Sequence, residues 1–237
     1  MIADPTNGTD DSAVVLLSGG LDSATALAIA RDRGHECHAI TFRYGQKHEI
    51  EVEFAERTAR NQGVSDHRII DLPFHKLATS ALTQGSGPVP HDRPPEELTD
   101  NIPPTYVPAR NTIFLSCALA RAESTDSDFI FCGVNAVDYS GYPDCRPGYI
   151  TEFQQLANLA TRKAVEGTPT QICAPLQGMN KAGIIRRGME LGVDYSLTLS
   201  CYDPDDRGRA CGHCDACRFR QKGFQEAGLA DPAPYQS

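Results

Sequence analysis

Short apolar runs alternate with longer amphipathic stretches along most of the chain. Five runs rich in β-branched or large apolar residues predict strands at residues 13–17, 36–42, 67–72, 129–132 and 172–174. Five longer stretches with apolar residues at helical spacing predict helices at residues 23–33, 48–62, 111–123, 150–165 and 181–191. Strands that alternate with helices form parallel βαβ units, whose crossovers are right-handed. The pattern therefore predicts an α/β fold with a doubly wound parallel sheet.

Three segments depart from this alternation. Residues 1–12 are polar and acidic, and we expect them to form a disordered tail. Residues 83–108 are rich in proline and have no apolar period, which is typical of a lid, a binding loop or a disordered insert. Residues 200–217 form a cysteine-rich, loop-like stretch. We therefore divide the chain into the tail, an α/β domain at 13–195 and a C-terminal segment at 196–237.

Charge and cysteine content narrow the class of protein. The 237 residues include 31 acidic and 22 basic side chains, for a net charge of −9, and nine cysteines. A negative field repels phosphate, which disfavours a uniformly basic nucleic-acid binder. No apolar run approaches the roughly 20 residues of a membrane span, and the N-terminus has no signal-peptide pattern. We expect a cytoplasmic protein whose cysteines serve metal binding or chemistry rather than disulfides.

A glycine-rich turn connects the first predicted strand to the first predicted helix. It reads Leu17-Ser18-Gly19-Gly20-Leu21-Asp22-Ser23. Glycines allow a tight turn that exposes backbone N–H groups, and the helix N-terminus behind them adds partial positive charge. Ser18 and Ser23 can donate to phosphate oxygens, and Asp22 or Ser23 can cap the helix. Because the turn has neither the Walker A nor the Gly-x-Gly-x-x-Gly spacing, it predicts a different type of phosphate-binding loop.

Four cysteines stand close together near the C-terminus: Cys201, Cys211, Cys214 and Cys217. Four thiolates at this spacing can close a tetrahedral Zn²⁺ site with no open coordination position, which makes the site structural. An iron–sulfur cluster is the alternative, but the ferredoxin pattern needs a further Cys followed by Pro, and Arg218-Phe219-Arg220-Gln221 stands there instead. His213 could replace one ligand or donate a hydrogen bond to the site.

Two later segments supply polar side chains at the predicted edge of the sheet. Arg110 offers a planar cationic fork just before a helix, and Asn111 is either a ligand-binding residue or the N-cap of that helix. Residues 133–147 follow a predicted buried strand and combine Asn, Asp and Tyr, a mixture that suits a planar heterocycle. Lys181 begins a later helix, where it either contacts phosphate or is solvated.

These motifs resemble those of a known family. The Ser-Gly-Gly-Leu-Asp-Ser loop closely resembles the pyrophosphate loop of the ATP pyrophosphatase (PP-loop) superfamily. Together with residues 41–46, 108–114, 133–147 and the four cysteines, it is similar to the 7-cyano-7-deazaguanine synthases, the QueC family. Lys47, where the family is expected to prefer Arg, and the acidic insert near 90–100 are mild departures. The resemblance implies an adenine nucleotide alpha-hydrolase-like α/β fold with a small C-terminal zinc-binding subdomain.

The resemblance also implies a reaction and its participants. Such an enzyme is a ligase that forms C–N bonds. It uses ATP to convert 7-carboxy-7-deazaguanine and ammonia, through an amide, to 7-cyano-7-deazaguanine (preQ0) for queuosine or archaeosine in tRNA. It works with Mg²⁺ and Zn²⁺ and acts on small molecules, without direct contact with nucleic acid or a membrane. A homodimer is expected.

The site residues that the resemblance implies fall into four groups. The catalytic residues would be Ser18, Asp22, Ser23, Arg110 and Lys181. The nucleotide cradle would consist of Leu17, Ser18, Gly19, Gly20, Leu21, Asp22, Ser23, Ala24, Thr25, Ala26 and Leu27. Asp138, Tyr139 and Asp144 would bind the base of the substrate, and the four cysteines would bind zinc.

Two alternative functions fit some of these features. One is another PP-loop ATP pyrophosphatase that acts on tRNA, by thiolation or by lysidine formation. Such enzymes need basic RNA-binding extensions, and the thiolation enzymes also need a reactive cysteine pair; neither feature is visible in the sequence. The other alternative is a non-catalytic, zinc-stabilised nucleotide-binding module, which predicts nucleotide binding without turnover.

Overall fold

A five-stranded parallel sheet forms the centre of the protein, whose computed structural model describes residues 11–83, 87–94, 102–136 and 141–236. The strands are β1 (Ser12–Leu16), β2 (Glu36–Arg43), β3 (Asp66–Asp71), β4 (Phe129–Phe131) and β5 (Gln171–Cys173). They are hydrogen-bonded in the order β3-β2-β1-β4-β5. Ala13, Val14 and Val15 of β1 have no solvent exposure, because a central parallel strand is covered on both faces.

Helices cover both faces of the sheet. They are α1 (Leu21–Asp32), α2 (Ile50–Asn61), α3 (Arg110–Ser124), α4 (Pro147–Ala160), α5 (Arg162–Val165), α6 (Lys181–Glu190) and α7 (Asp215–Ala227). Val14 packs in one apolar cluster with residues of α3 and α4, whereas Ala13 and Val15 pack in a second cluster with residues of α1 and α6. Alternate side chains of β1 therefore enter two cores, and the predicted doubly wound α/β fold is confirmed.

Most element ends differ from the prediction by a few residues, and two differences change the elements themselves. The single helix predicted at 150–165 was wrong, because Thr161 has extended backbone angles (φ −120°, ψ 150°) that end α4. The Thr161 hydroxyl accepts a hydrogen bond from the N–H of Ala164 and so caps the short helix α5. The second difference is in the C-terminal segment. Helix α7 begins at Asp215, so Cys217 lies in a helical turn and not in the predicted loop.

Part of the proline-rich stretch lies against the C-terminal segment. His91 pairs with Cys214 in an isolated antiparallel bridge, and the N–H of Asp92 donates to the carbonyl of His213 at 3.0 Å. Arg93 forms a buried ion pair with Asp215 at 2.8 Å. Residues 1–10 and 95–101, which hold most of the predicted tail and of the acidic insert, lie outside the described residues.

The strand order brings two loops together at the carboxyl edge of the sheet. Because β1 lies between β2 and β4, the loop after β1 and the loop after β4 are neighbours there. In open α/β sheets, ligands bind in the crevice at this kind of topological switch point. The predicted phosphate loop, at residues 17–23, lies at this place.

Candidate active site

The phosphate loop is held by hydrogen bonds between its own two serines. The Ser23 hydroxyl accepts from the N–H and from the hydroxyl of Ser18, both at 3.1 Å, and donates to the carbonyl of Gly20 at 3.0 Å. The N-cap of α1 is Gly20, which has no side chain. The prediction that Asp22 or Ser23 caps α1 was therefore wrong. No side-chain cap competes with a ligand for the N–H groups at the start of this helix.

Two glycines let the loop pack closely against its neighbours. Gly19 has a φ of +83°, and a Cβ atom there would lie 2.4 Å from the carbonyl oxygen of Glu51. A Cβ atom on Gly133 would lie 2.9 Å from backbone atoms of both Asp22 and Ser23. Any side chain at either position would have to push backbone aside. The phosphate loop is thus fixed between the start of α2 and the loop after β4.

Asp22 forms an ion pair with Lys181 beside the loop. The Nζ atom of Lys181, the first residue of α6, lies 2.7 Å from each carboxylate oxygen of Asp22. Of the two side chains, that of Lys181 is 17% exposed and that of Asp22 is 29% exposed. Of the two alternatives for Lys181, the structure therefore favours a place at the phosphate loop over a solvated surface position.

A second group of polar side chains surrounds Arg110 at the start of α3. Its Nη1 donates to the hydroxyl of Tyr44 at 3.2 Å, and its guanidinium carbon lies 5.7 Å from the centre of that ring. Burial disfavours the charge, but three tyrosines outweigh it and raise the pKa of Arg110: Tyr44, Tyr142 and Tyr202. Burial also raises the pKa of Tyr44 to about 12. Arg110 is therefore a half-buried cation that donates to the hydroxyl of Tyr44.

Glu51, in the first turn of α2, adds a carboxyl group to this second set. The side-chain amide of Gln46 donates to its Oε1 at 2.9 Å. Burial raises the pKa of Glu51 to about 7, against the opposing effects of the Arg110 charge and the Gln46 hydrogen bond. Protein atoms enclose the carboxyl group, yet solvent reaches it through the cavity that it lines.

Both polar groups line one cavity of about 330 Å³. This volume lies at the lower end of the range for small-molecule pockets. All five predicted catalytic residues line it: Ser18, Asp22, Ser23, Arg110 and Lys181. Between the two groups the walls are largely apolar and include Leu16, Ile40, Phe42, Phe114, Val134 and Leu199. The rings of Phe42 and Phe114 stack with their centres 4.1 Å apart.

The residues of the predicted nucleotide cradle take two different positions. Six of them line the cavity: Leu17, Ser18, Gly20, Leu21, Asp22 and Ser23. Ala24, Ala26 and Leu27 instead belong to the buried core, and the Thr25 hydroxyl donates to the carbonyl of Leu21. Residues 24–27 therefore support the loop from within the fold and do not form the cavity wall.

Asp144 lies against the start of α3 and does not line the cavity. Its carboxylate accepts from the N–H of Asn111 at 3.0 Å, and the Asn111 side chain donates to the Asp144 carbonyl at 3.1 Å. The N-cap of α3 is Ala109, so the alternative of Asn111 as a cap is wrong. Asp138 and Tyr139 lie outside the described residues. Base recognition by these three acidic and aromatic residues stays a prediction.

Sequence reasoning did not assign several cavity-lining residues to the site, among them Tyr44, Gln46, Glu51 and Tyr202. Tyr44 and Gln46 follow the carboxyl end of β2, which is hydrogen-bonded to β1. Because they follow the carboxyl end of a strand next to the switch point, the sequence could have predicted that they line the site. Tyr202 was harder to find, because it belongs to the segment that the cysteine spacing assigns to a structural metal site.

The four cysteines of the C-terminal segment form a compact, buried group. Their sulfur atoms all lie within 4.8 Å of one another. Five backbone N–H groups donate to three of these sulfurs at 3.2 to 3.4 Å, an environment that stabilises thiolates. The His213 ring pairs with Asp92 at 3.2 Å. The predicted set of four cysteines is therefore assembled to hold a metal ion without His213.

The fold and the site define a class of protein. A parallel α/β sheet with the Ser-Gly-Gly-Leu-Asp-Ser loop at its switch point, next to a four-cysteine group, is the arrangement of a PP-loop protein. The family model described as "Queuosine biosynthesis protein QueC" matches residues 12–228. The chain belongs to the QueC family.

Named relatives match almost the whole chain. It is 60% identical over 225 residues to the 7-cyano-7-deazaguanine synthase of Paramagnetospirillum magneticum, covering 95% of this chain and 99% of the relative. It is 57% identical over 224 residues to the protein of the same name from Syntrophobacter fumaroxidans, covering 94% and 95%. A solved complex of a 4-thiouridine synthetase with RNA and ATP is 20% identical with a TM-score of 0.47, covering 93% of this chain and 51% of that chain. That likeness is too distant to carry a conclusion about function.

Proposed function

We propose that this protein is an ATP-dependent ligase that converts 7-carboxy-7-deazaguanine and ammonia to 7-cyano-7-deazaguanine. The observation that carries the proposal is one cavity with the phosphate loop at one side and Arg110 and Glu51 at the other. Activation of a carboxylate by ATP requires a nucleotide and an acid to lie side by side in this way. Membership of the QueC family and the names of its relatives support this choice of substrate over the tRNA-acting and non-catalytic alternatives.

The loop side of the cavity would position ATP. The N–H groups at the start of α1 and the hydroxyls of Ser18 and Ser23 suit phosphate oxygens. The ammonium group of Lys181 would stabilise the charge that develops on the departing pyrophosphate. Because Lys181 holds both oxygens of Asp22 in this structure, phosphate binding would share or exchange that ion pair.

Asp22 is the residue that would hold Mg²⁺. Its carboxylate lines the cavity beside the phosphate loop, and carboxylate oxygens are ligands that Mg²⁺ prefers. When bound, Mg²⁺ neutralises part of the charge on the phosphates.

The four cysteines would hold Zn²⁺ as a structural ion, because four buried sulfurs with N–H donors suit a closed tetrahedral site. This segment also reaches the active site. The N–H of Leu199 donates to the carbonyl of Gly19 at 2.9 Å, and Tyr202 lines the cavity. The metal group would therefore hold one wall of the cavity in place.

The opposite side of the cavity would bind the acid. Arg110 is a half-buried cation whose planar fork suits a carboxylate, and the stacked rings of Phe42 and Phe114 suit a flat heterocycle. We propose that Arg110 holds the carboxylate of the substrate before activation. Asp138, Tyr139 and Asp144 remain the proposed contacts to the base.

The reaction would proceed through two activations. The carboxylate takes AMP from ATP and releases pyrophosphate, and ammonia then displaces AMP to give the amide. A second ATP activates the amide oxygen, and loss of AMP leaves the nitrile. No side-chain nucleophile is required. Burial raises the pKa of Cys132 and of Cys145 to about 12, so these two cavity-lining thiols stay protonated.

We also propose the setting in which this reaction takes place. The substrates are free small molecules in the cytoplasm, nucleic acid does not bind directly, and the enzyme is a homodimer. The PP-loop domain begins with β1, whose first residue Ser12 was predicted to belong to the tail at 1–12, and runs to residue 195; residues 196–237 form the zinc-binding segment. Within the described ranges, no helix is long and apolar enough to cross a membrane.

The direct test is an incubation with ATP, Mg²⁺, ammonium and 7-carboxy-7-deazaguanine, followed by mass spectrometry. We expect the amide first and then the nitrile, and neither product without ATP. If ATP binds normally and neither product forms, the proposed function is wrong. If the protein is instead a non-catalytic module, it would bind the nucleotide in these samples but release no pyrophosphate.

A further inference from the structure

The carboxyl group of Glu51 has an unusually fixed orientation. The amide of Gln46 that donates to its Oε1 is itself held, because Gln46 accepts from the N–H of Tyr44 at 2.6 Å and donates to the carbonyl of Phe42 at 3.3 Å. Among the described residues, no hydrogen bond to the other carboxyl oxygen, Oε2, is formed. One oxygen of Glu51 is therefore anchored, and the other is available to a molecule in the cavity.

The position of Glu51 connects the two sides of the cavity. Its main chain touches the phosphate loop at Gly19, where there is no room for a Cβ atom. Its side chain lies close enough to Arg110 for the cation to lower its pKa, but the two form no ion pair within 4.0 Å. Glu51 is thus a residue of the Arg110 side whose main chain contacts the phosphate loop, so its carboxyl group lies in the cavity in which both substrates would meet.

Glu51 also lacks a cationic partner: among the described residues its side-chain hydrogen bond is the one from Gln46. Buried carboxylates in proteins are ordinarily neutralised by a cation, and within the described ranges Glu51 has none at ion-pair distance. Its pKa of about 7 lies near neutral pH, the range in which a side chain can both take and release a proton. Perturbed groups of this kind concentrate at functional sites.

The proposed reaction requires a group that accepts protons from ammonium, and the residues of the phosphate loop do not supply one. Ammonium is the main form of ammonia at neutral pH, and its nitrogen ends in a nitrile that carries no hydrogen. All four of its protons must therefore be removed in the course of the reaction. Asp22 is paired with Lys181 and Asp215 with Arg93, so among the described carboxyl groups that line the cavity Glu51 is the one without a cation at ion-pair distance.

We propose that Glu51 is the general base that deprotonates the attacking nitrogen, an inference that rests on the proposed function. Ammonium first loses one proton to solvent, and the lone pair of the resulting ammonia forms the C–N bond to the activated carbonyl carbon while the π electrons move to oxygen. A proton passes from nitrogen to Oε2 of Glu51. The π bond re-forms, the bond to AMP breaks, AMP leaves with the electron pair, and Glu51 releases its proton to solvent. In the second stage the same group removes the last N–H proton as AMP leaves and the C≡N bond forms.

Two separate readouts on Glu51→Gln test the inference. The first is ATP–pyrophosphate exchange with 7-carboxy-7-deazaguanine and no ammonia, which reports activation alone and needs no proton acceptor. The second is amide formation in a single turnover across pH, with free ammonia held constant. We expect exchange within about threefold of the wild type and amide formation lower by on the order of 100-fold. We also expect the rise in rate near pH 7 to disappear in the variant.

Matched variants separate this role from a structural one. Glu53 lies on the same helix, is exposed and pairs with Arg57. The variant Glu53→Gln should therefore change neither readout. In Glu51→Ala, added formate should restore part of the amide formation, because a small acid can take the place of the missing carboxylate. A structural role would not respond to formate.

The outcomes are distinct. If the wild type forms no amide, the proposed function fails. If the wild type forms amide and Glu51→Gln does so at the same rate with the same pH profile, the role of Glu51 as a base is wrong. If exchange falls as far as amide formation, Glu51 serves activation instead, and the inference is also overturned.

Discussion

The four-cysteine group and the cavity are built in opposite ways. The cysteines lie within 17 residues of one another in the chain, from Cys201 to Cys217, and their sulfurs meet within 4.8 Å. The cavity collects side chains from three strands and the loops after them, from the starts of five helices and from residues 199–202. A local group of ligands could be closed by a metal ion and its own backbone, whereas a dispersed site depends on the packing of the whole fold.

This difference matters because the two regions touch. The hydrogen bond from Leu199 to Gly19 joins the cysteine-rich segment to the phosphate loop. We therefore expect the cysteine group, which contains none of the proposed catalytic residues, to affect catalysis through one wall of the cavity. Variants of the cysteine group and variants of the phosphate loop separate this indirect effect on activity from a direct loss of catalytic side chains.

The largest expected effect is on the local group. Cys214→Ser removes one of four metal ligands, and because metal binding supplies the folding energy of such a segment, we expect a loss of on the order of 5 kcal/mol in unfolding free energy. Metal analysis should fall from one ion per chain to nearly none. Cys117→Ser, a partly buried cysteine outside the group, is the control and should keep the metal. Full metal content in the Cys214 variant would contradict the four-cysteine site.

The next effect concerns the direct chemistry of the cavity. Asp22→Asn removes the charge at the phosphate loop and should lower kcat by on the order of 100- to 1,000-fold, with the melting temperature little changed. Asp32→Asn is a matched control, since Asp32 ends the same helix and pairs with Arg187 of α6 at 2.7 Å. Equal activity losses in the two variants would mean that Asp22 only holds α1 to α6.

A smaller effect is expected where the two loops touch. Gly133→Ala places a methyl group 2.9 Å from the backbone of Asp22 and Ser23, so the phosphate loop must shift. We expect kcat/KM to fall by about 10- to 100-fold, because sub-ångström positioning determines the rate. Gly148→Ala, in the first turn of α4 with nothing within 4 Å of its Cβ, should leave activity unchanged. Full activity of the Gly133 variant would show that the loop tolerates displacement.

The smallest effect is a gain in stability. Burial raises the folded-state pKa of Glu51 from the ordinary 4.5 to about 7, so the folded protein holds this proton more tightly than the unfolded chain. The resulting stability is fully present below pH 4.5 and is lost as the pH rises toward 7. Glu51→Gln should therefore be more stable than the wild type by about 1–2 kcal/mol near pH 8, and equally stable near pH 4. Thermal melts across pH measure this difference in stability. A variant less stable than the wild type at pH 8 would mean that the folded protein stabilises the ionised carboxylate of Glu51.

The same contrast explains what could be predicted from the sequence. The phosphate loop and the cysteines are continuous motifs with fixed spacing, and the alternation of strands and helices determined the sheet class. Glu51 and Tyr202 could not be found in this way, because their role depends on contacts with Gln46, Arg110 and Tyr142 that only the folded chain creates. The break at Thr161 was missed because a hydroxyl cap on a short helix leaves the apolar period unchanged.

The central claim is that one cavity activates the carboxylate, and later the amide, through ATP. The most direct test uses 7-carboxy-7-deazaguanine with both carboxylate oxygens labelled with oxygen-18. We expect two AMP molecules for each nitrile, each carrying one labelled oxygen, and no label in water. Label in water or in inorganic phosphate, or nitrile formed with unlabelled AMP, would contradict the account.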